Sequence, residues 1–387
     1  MTSTDVVVIG AGMVGAACAF YCAAAGLRVT VVERGSIAGG TTAACEGNIL
    51  LSDKEPGPEL ELALLSSRLW AELAQELGPD RLEYQRKGGV VVAGSEATAA
   101  GLRSFAAEQR SVGIESVDLT PAELLELEPN IEPASAGGAF YPQDSQIQPM
   151  LATAQILAHV RRAGVQVLLG TEVTSFVRTP AGAVTGVRTT SHQQPTISAQ
   201  WVINAAGTWS GPVAELAGAP IPVLPRRGFI LVTEPLPRVI RHKVYTAEYV
   251  ANVASSDAGL ETSVVVEGTH SGTVLIGASR ERVGFDRTMS LPVVRKLAAQ
   301  AIEVFPFLAE VSLLRTYLGF RPYCPDHLPL IGPDLRVPGL VHATGHEGAG
   351  IGLSTGTGRL IAQLLTGAAP DVDAMPFRPQ RFQEYLS

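Results

Sequence analysis

The stretch Asp5-Val6-Val7-Val8-Ile9-Gly10-Ala11-Gly12-Met13-Val14-Gly15 opens the chain almost at once. Its apolar, β-branched residues predict a buried strand over 5–9. The G-x-G-x-x-G pattern that follows predicts a tight turn, and the small residues of 16–25 predict a helix that ends at Gly26. A second strand is predicted over 28–32, so the chain begins with a βαβ unit.

The three glycines of this unit suit a dinucleotide. Gly10 permits the turn, Gly12 lets a pyrophosphate approach the backbone, and Gly15 lets the helix pack on the strand. Glu33 lies eighteen residues after Gly15, where a carboxylate accepts hydrogen bonds from ribose hydroxyls and disfavours the 2′-phosphate of NADP. The predicted cofactor site also includes Met13 and Val14 at the helix N-terminus and Arg34. The alternative is a glycine-rich turn in an ordinary βαβ unit.

Composition limits the class of protein. With 387 residues, 46 % of them hydrophobic, the chain is long enough for two domains with a large core. Its net charge of −8 gives no reason to expect nucleic acid or an anionic membrane surface as a partner. The apolar runs are short and the N-terminus lacks a basic region, which predicts no membrane span, no secretory signal and a cytoplasmic location.

Four cysteines are too few for a disulfide framework in a chain of this length: Cys18, Cys22, Cys45 and Cys324. Cys18 and Cys22 share one face of the first predicted helix and are expected to be buried. Because the sequence contains no C-x-x-C pair, it predicts neither a zinc site nor an iron–sulfur cluster.

Further along the chain, helical and strand patterns alternate. The loop 34–48 contains Thr41 and Thr42, which are candidate donors to phosphate oxygens or, alternatively, turn residues that bond their own backbone. Leucines at helical spacing predict a helix over 58–77, and a capping box predicts a helix start at 120–123. Other helices are predicted over 95–112, 150–163, 290–305 and 353–365, and strands over 88–93, 137–141, 165–169, 172–178, 183–188 and 340–344.

The order of elements predicts an interleaved α/β architecture. The strand over 201–207 runs into a glycine before a helix, so a second strand of the nucleotide-binding sheet is expected to end near the ligand. Strands over 227–234, 263–267 and 273–279 predict a different sheet. The predicted nucleotide-binding domain comprises 1–80, 140–225 and 320–387, and a β-rich second domain comprises 81–139 and 226–319. The site is expected between them.

Four ordered motifs resemble the FAD-dependent D-amino-acid oxidase superfamily, which includes glycine oxidase and sarcosine oxidase. They are the glycine-rich unit with Glu33, the stretch 202–210 (Val-Ile-Asn-Ala-Ala-Gly-Thr-Trp-Ser), the stretch 319–333 that begins Gly-Phe-Arg-Pro, and the ending 345–353. Two stretches, 226–235 and 277–286, resemble more narrowly the flavoprotein β-subunits of heteromeric bacterial dehydrogenases such as opine oxidase, D-hydroxyproline dehydrogenase and hydrogen cyanide synthase.

The resemblance implies a glutathione-reductase-type FAD fold, a bound FAD, and oxidation of a C–N bond next to a carboxylate. A hydride would pass to flavin N5, and water would hydrolyse the resulting imine. Arg321 matches the residue that holds the substrate carboxylate; the alternative is a surface ion pair. Val173 matches an adenine-contacting position or is a plain core valine. The remaining implied cofactor residues are Asn48, Ala206, Gly207, Trp209, Gly350, Ile351 and Gly352.

This chain departs from the family pattern in its substrate residues. Glu347 stands where a substrate-facing arginine is missing; it would meet a substrate ammonium or guanidinium, or lie in solvent. Tyr249 or Tyr245 would replace the active-site tyrosine, although an ordinary packing role is the alternative. His346 is a candidate base or, by preference, a structural histidine bonded to the loop. Cys324 is offset from the position of a flavin-tethering cysteine, so the FAD is expected to be non-covalent.

Three functions are compatible with these residues. The first is an FAD-dependent amino-acid or imino-acid dehydrogenase, acting on D-hydroxyproline, opines or other secondary amines that bear a carboxylate. Its electrons would leave through partner subunits that carry an iron–sulfur centre. The second is a self-sufficient oxidase that makes hydrogen peroxide. The third is a flavoprotein electron-transfer subunit without a substrate of its own.

Overall fold

The computed structural model describes residues 2–249 and 255–385. Its strands are β1 Thr2–Ile9, β2 Val29–Val32, β3 Asn48–Ile49, β4 Gly89–Val92, β5 Val117–Leu119, β6 Gly138–Tyr141, β7 Ser145–Gln146, β8 Gln166–Leu168, β9 Val173–Arg178, β10 Val184–Thr189, β11 Thr196–Asn204, β12 Leu224–Thr233, β13 Lys243–Thr246, β14 Glu261–Gly268, β15 Val274–Arg280, β16 Leu313–Tyr323, β17 Leu330–Pro333 and β18 Leu340–Thr344. The α-helices that lie wholly within the described residues are α1 Met13–Ala24, α2 Pro58–Leu77, α3 Pro79–Leu82, α4 Glu96–Ser111, α5 Pro121–Leu127, α6 Pro149–Arg162, α7 Ser210–Leu216, α8 Leu291–Val304 and α9 Ser354–Thr366.

The first sheet contains the predicted βαβ unit. Its main order is β17-β18-β11-β1-β2-β8, and β10 joins β11 while β9 joins β10. The pairs β1–β2, β1–β11, β11–β18 and β2–β8 are parallel. Parallel strands with helices at their crossovers bring their carboxyl ends to one edge, where open α/β sheets bind ligands.

Helix α1 packs tightly because its residues are small. Ala16, Ala17 and Cys18 are fully buried, and Cys22 is buried with them as predicted. The helix begins at Met13, three residues before the predicted start, since the turn over Gly10–Gly12 is complete by then. Against its other side lies α9, whose Gly358 leaves no room for a side chain: a Cβ there would lie 2.6 Å from the Ala17 backbone.

The second sheet is mixed and runs in the order β16-β12-β15-β14-β13-β4-β6-β5. Its strands come from two parts of the chain, with β4, β5 and β6 before residue 142 and the other five after residue 223. The division into two domains with the predicted boundaries stays a prediction, and part of its 226–319 segment, residues 250–254, lies outside the described residues. The α/β fold with a second, β-rich sheet is confirmed.

Most predicted elements agree with the structure. Helix α2 has the predicted bounds, and Thr120 and Glu123 form the predicted capping box. Strand β11 begins five residues before the predicted 201–207 and ends three residues before the predicted end. Six strands were not predicted: β3, β5, β7, β13, β16 and β17. β16 is an edge strand with exposed residues and Pro322, so it lacks the alternation of a half-buried strand.

Candidate active site

A cavity of about 450 Å³ lies between the carboxyl edge of the first sheet and one face of the second. The first sheet contributes the residues that follow β1, β2, β11 and β18, such as Gly10, Glu33 and Ala206. The second sheet contributes β12, β15 and β16, with Gly228, Arg280 and Arg321. A concave site between two sheets, lined by both apolar and polar groups, is the usual place for a cofactor and a substrate.

The turn after β1 has the geometry that a pyrophosphate needs. Gly10 has φ +111, and a Cβ there would lie 2.5 Å from Ala205 O, so only glycine fits. At Gly12 a Cβ would meet only the Thr42 hydroxyl at 3.2 Å, which leaves the cavity side of the backbone open. Gly15 does not line the cavity; a Cβ there would lie 2.0 Å from Gly10 O, so its role is to close the strand–helix junction.

Glu33 is fixed at the end of β2 by backbone donors. Its Oε2 accepts a hydrogen bond from Ala11 N at 2.9 Å, and its Oε1 accepts one from Gly35 N at 2.7 Å. The carboxylate also lines the cavity, and its two oxygens have lone pairs for two further donors. It is thus oriented to accept hydrogen bonds from a diol in the cavity.

The threonine hydroxyls bond to distant backbone groups. Thr41 donates to Phe320 O at 2.7 Å, and Thr42 accepts from Met13 N at 3.1 Å, at the start of α1. Neither makes the local turn bond that was the alternative interpretation. Both line the cavity, and their bonds tie the loop 41–48 to α1 and to β16.

The second glycine-rich loop places three backbone donors before α9. Within 2–249 and 255–385, no acceptor bonds the N–H groups of Gly350, Ile351 and Gly352. Gly350 and Ile351 line the cavity, whereas Gly352 lies behind them against Asn48 O and Ile49 Cα. Unpaired N–H groups and the partial positive charge of a helix N-terminus favour an anionic or carbonyl group there.

The cavity gathers most of the predicted cofactor residues. Arg34 lies over the Trp209 ring at 4.6 Å, and Trp209 stacks on Phe285 with ring centroids 5.6 Å apart. The predicted cofactor residues that line the cavity are Gly10, Gly12, Met13, Val14, Glu33, Arg34, Thr41, Thr42, Asn48, Val173, Ala206, Gly207, Trp209, Gly350 and Ile351. All four predicted substrate-side residues line it too: Tyr249, Arg321, His346 and Glu347.

Arg321 enters the cavity from β16. Its side chain crosses Gly228 on β12, where a Cβ would lie 2.2 Å from Nη1, and it donates to Ser279 O on β15 at 2.8 Å. Within the parts of the chain that the structure describes, no carboxylate lies within salt-bridge distance of this guanidinium. The alternative of a surface ion pair therefore does not describe Arg321.

Glu347 is not in solvent, and both of its carboxylate oxygens have protein partners. Its side chain is 10 % exposed; Oε1 accepts from Arg226 Nη1 at 2.5 Å, and Oε2 lies 2.9 Å from His327 Nδ1. Burial opposes ionisation, but His327 and Arg226 outweigh it and hold the pKa of Glu347 below its ordinary value. The interpretation as a solvent carboxylate is wrong, because tertiary contacts supply two protein partners.

His346 and the two tyrosines differ in their surroundings. His346 is buried, and its Nε2 lies 2.9 Å from Thr357 Oγ1 of α9, so its partner is a helix side chain and not the loop backbone. Burial lowers its pKa to about 3, which keeps the ring neutral. Tyr249 lines the cavity, with Arg280 5.5 Å from its ring centre, whereas Tyr245 is fully buried beside Ser52 outside it.

Sequence reasoning missed several charged residues of the cavity. Arg280 lies at the end of β15, and Lys54 forms salt bridges with Asp53 at 3.0 Å and Glu59 at 3.3 Å. Glu46, in the loop after β2, is also buried in the wall. The motif comparison left these positions unassigned, and their meeting in one cavity depends on how the loop packs on the second sheet.

Neither a metal site nor a membrane-spanning helix is found in the described residues. In residues 2–249 and 255–385, no three His, Cys, Asp or Glu side chains are grouped so as to hold a metal ion. The same part of the chain contains no helix that is both long and apolar enough to cross a membrane.

Comparison with known proteins places the chain in a family. The model of the FAD dependent oxidoreductase family, DAO, matches residues 5–364. Hydrogen cyanide synthase subunit HcnC of Pseudomonas aeruginosa is 30 % identical, over 98 % of this chain and 96 % of that protein. Glycine oxidase of Geobacillus kaustophilus is 30 % identical, over 96 % of each chain.

Solved structures agree with this placement. The crystal structure of glycine oxidase from Geobacillus kaustophilus has a TM-score of 0.88 and 27 % identity, and it covers 98 % of this chain and 99 % of its own. That of L-proline dehydrogenase from P. horikoshii has a TM-score of 0.90 over 99 % of both chains; at 23 % identity it shows the fold alone. The predicted family and cofactor are thereby confirmed: this chain belongs to the DAO family of FAD-dependent oxidoreductases.

Proposed function

We propose that this chain oxidises the C–N bond of an amino or imino acid, of the D-hydroxyproline, opine or secondary-amine type, as the flavin-bearing subunit of a dehydrogenase. The observation that carries the proposal is Arg321, a cation that enters the cavity without a salt bridge to any described residue. Its strand neighbours on β12 differ, since Arg226 and Arg227 are both held by carboxylates. Arg321 is thus available to a substrate carboxylate.

The residues of the cavity fit an FAD molecule. The open backbone at Gly12 and the unpaired N–H groups of Gly350 and Ile351 suit phosphate and flavin carbonyl oxygens, and Glu33 suits a ribose diol. Cys324 is fully buried outside the cavity, which favours non-covalent binding. The flavin, once bound, would accept the substrate hydride at N5.

The chain's own work is to orient the substrate and to shape the field around it. A guanidinium binds a carboxylate through two parallel hydrogen bonds, so Arg321 would fix the position of the adjacent carbon. The N-terminus of α9 would stabilise negative charge at the loop 350–352. The imine product would be hydrolysed by water.

The two sheets support a division of labour. The residues proposed to contact the phosphates and the ribose follow strands of the first sheet, whereas Arg321 lies on the second. For this reason we propose an FAD-binding domain and a substrate-binding domain. Tyr249 and Glu347, both in the cavity wall, remain proposed substrate-side residues, the latter through its contact with Arg226.

The electron acceptor separates two candidate functions. HcnC is by name a subunit of hydrogen cyanide synthase, which favours a dehydrogenase whose partner subunits carry an iron–sulfur centre. Glycine oxidase, equally similar over the whole chain, favours a self-sufficient oxidase that makes hydrogen peroxide. An electron-transfer subunit without a substrate would have no use for an unpaired arginine in its cavity.

The purified, FAD-loaded chain tests the proposal under anaerobic conditions. Glycine, sarcosine, both prolines, hydroxyproline isomers and an opine are added in turn, and bleaching of the flavin band identifies the substrate class. A rapid return of the flavin band on admission of air identifies an oxidase, whereas a slow return identifies a dehydrogenase. If no compound bleaches a loaded flavin and none perturbs its spectrum, the electron-transfer function is favoured instead.

Substitution of Arg321 by alanine should weaken substrate binding by about 100-fold, because the net loss of a charge-assisted contact costs roughly 1.5–3 kcal/mol. The measurement is the substrate concentration that half-saturates anaerobic flavin reduction. Arg315→Ala is the matched control, since Arg315 lies on the same strand but is exposed to solvent. An Arg321→Ala enzyme with full FAD content and unchanged half-saturation would contradict the carboxylate assignment.

A further inference from the structure

We propose that Glu46 binds the amino nitrogen of the substrate, while Arg321 holds its carboxylate. This inference rests on the proposed function, because it names the second contact of the same substrate. Glu46 is not part of the glycine-rich motifs, and neither its residue type nor its spacing indicated a role.

Glu46 is a buried carboxylate with an oxygen left unpaired. The residue is 7 % exposed, and within the described chain no donor bonds its Oε1. Its Oε2 has a single, long contact of 3.5 Å with Asn48 Nδ2. Because a buried carboxylate with so few donors is costly, its place in the cavity wall points to a donor that arrives with a ligand. That donor would bond Oε2, since Oε1 is covered by protein atoms.

The protein makes room for this carboxylate on the floor of the cavity. A Cβ on Gly277 of β15 would lie 2.2 Å from Glu46 Oε1 and 3.0 Å from Ile230 Cδ1 of β12. Beside it, Ala44 occupies the space above Gly319 of β16 in the same way, at 2.4 Å. Glycines on β15 and β16, the two strands that flank β12, therefore let the loop 41–48 pack closely on the sheet and place Glu46 in the cavity.

Glu46 and Arg321 both contact strand β15. The Glu46 carboxylate lies at Gly277, and the Arg321 guanidinium donates to the main-chain oxygen of Ser279, two residues further along the strand. Both side chains line the cavity, so a single ligand can meet a carboxylate and a guanidinium there.

The charges around Glu46 leave it available. Lys243 is close by, but it is engaged in a buried ion pair with Glu267, whose Oε2 also accepts from Gly47 N at 3.2 Å. Burial raises the pKa of Glu46, and Lys243, Arg321 and Arg280 offset part of that rise. A cationic amine entering the cavity would add a further positive charge and favour the carboxylate form.

Isosteric ligand pairs test the proposal on the FAD-loaded protein. Glycine is compared with propionate, and each proline enantiomer with cyclopentanecarboxylate, since each pair differs chiefly in the replacement of nitrogen by carbon. Binding is read from the perturbation of the flavin absorbance, or from half-saturation of anaerobic reduction where the ligand is oxidised. The wild-type protein should bind the amine of at least one pair about tenfold or more tightly than its carbon isostere.

Glu46→Gln should remove that preference and leave the affinity for propionate and cyclopentanecarboxylate within about threefold of the wild type. Glu59→Gln is the matched control: Glu59 also lines the cavity, but Lys54 already pairs with it at 3.3 Å, so the preference for amines should persist. Arg321→Ala should weaken both members of each pair, which distinguishes failure of the carboxylate contact from failure of the amine contact.

Three results would overturn the proposal. One is equal binding of amine and isostere by the wild-type protein, a measurement that needs no variant. Another is an unchanged amine preference in Glu46→Gln. The last is a Glu46→Gln protein whose flavin spectrum shifts while both members of each pair weaken equally, because Glu46 would then contact the flavin. If Glu46→Gln does not retain FAD, the proposal is tested by the comparison of amine and isostere binding in the wild-type protein.

Discussion

At the scale of single residues, His346 shows how burial sets a charge state. The ring is neutral because burial lowers its pKa to about 3, while the unfolded chain binds a proton near pH 6.5. Since the unfolded state binds more protons between these values, stability falls as the pH drops from about 6.5 toward 3. The contribution of the neutral His346 ring to stability is fully present above about pH 6.5.

Lowering the pH from 7 to 5 should therefore cost about 2 kcal/mol of unfolding free energy through His346 alone. His346→Gln should reduce this pH-dependent loss by about that amount, as measured by urea unfolding at both pH values. His270→Gln, at an exposed histidine, should leave the loss unchanged. An identical pH dependence in His346→Gln and the wild type would show that the ring does not resist protonation in the folded state.

The sequence predicts the roles of some cavity residues but not of others. Gly10 and Glu33 sit at fixed spacing in a local βαβ unit, so their roles follow from neighbours in the chain. Arg321 was identified only through a motif resemblance. Glu46, Arg280 and the Arg226–Glu347–His327 contacts join residues far apart in the chain, and no local pattern predicts that a loop will lie on a particular strand.

At the scale of elements, the β1–α1 junction depends on a glycine that never touches the cavity. A Cβ on Gly15 would lie 2.0 Å from Gly10 O, a backbone atom that cannot move without disrupting the turn. Gly101 of α4 is exposed and has no atom within 4 Å of its Cβ position. The two glycines therefore respond in opposite ways to an added methyl group.

Gly15→Ala should lose FAD and destabilise the protein by about 1–3 kcal/mol, the usual cost of forced overpacking. Gly101→Ala should stabilise it by roughly 0.5–1 kcal/mol, because alanine has the better helix propensity. Thermal unfolding and the ratio of flavin to protein absorbance measure both effects. A Gly15→Ala protein with full flavin content would mean that α1 moves away from β1 at little cost.

At the scale of the whole molecule, the cavity joins two sheets, so its ligand should link their stabilities. We predict that FAD at 100 times its Kd raises the unfolding free energy of the FAD-depleted protein by about 2.7 kcal/mol. FMN at the same concentration should raise it much less, since it lacks the adenosine that Glu33 and Val173 are proposed to contact. The shift of the melting temperature measures both, and equal shifts would remove the adenosine contacts from the proposal.

The sequence by itself determined the parts of this protein that are local in the chain. Period, spacing and residue type predict the strand, turn and helix of 5–33, the helix Pro58–Leu77 and the glycine-rich loop before α9. The geometry of these elements is set by residues that are close together in the chain. Those motifs, with their resemblance, were also sufficient for the family and for FAD.

Only the tertiary structure decided what surrounds the substrate. Strand β16 is an irregular edge strand, and Glu347 acquires two partners from elsewhere in the chain. Glu46 reaches the cavity because glycines on β15 and β16 leave space for its loop. The register between strands, and the space that a glycine leaves for a loop packed on the sheet, are set only when the elements pack together. They bring the Glu46 carboxylate and the Arg321 guanidinium into one cavity, an arrangement that no spacing along the chain encodes.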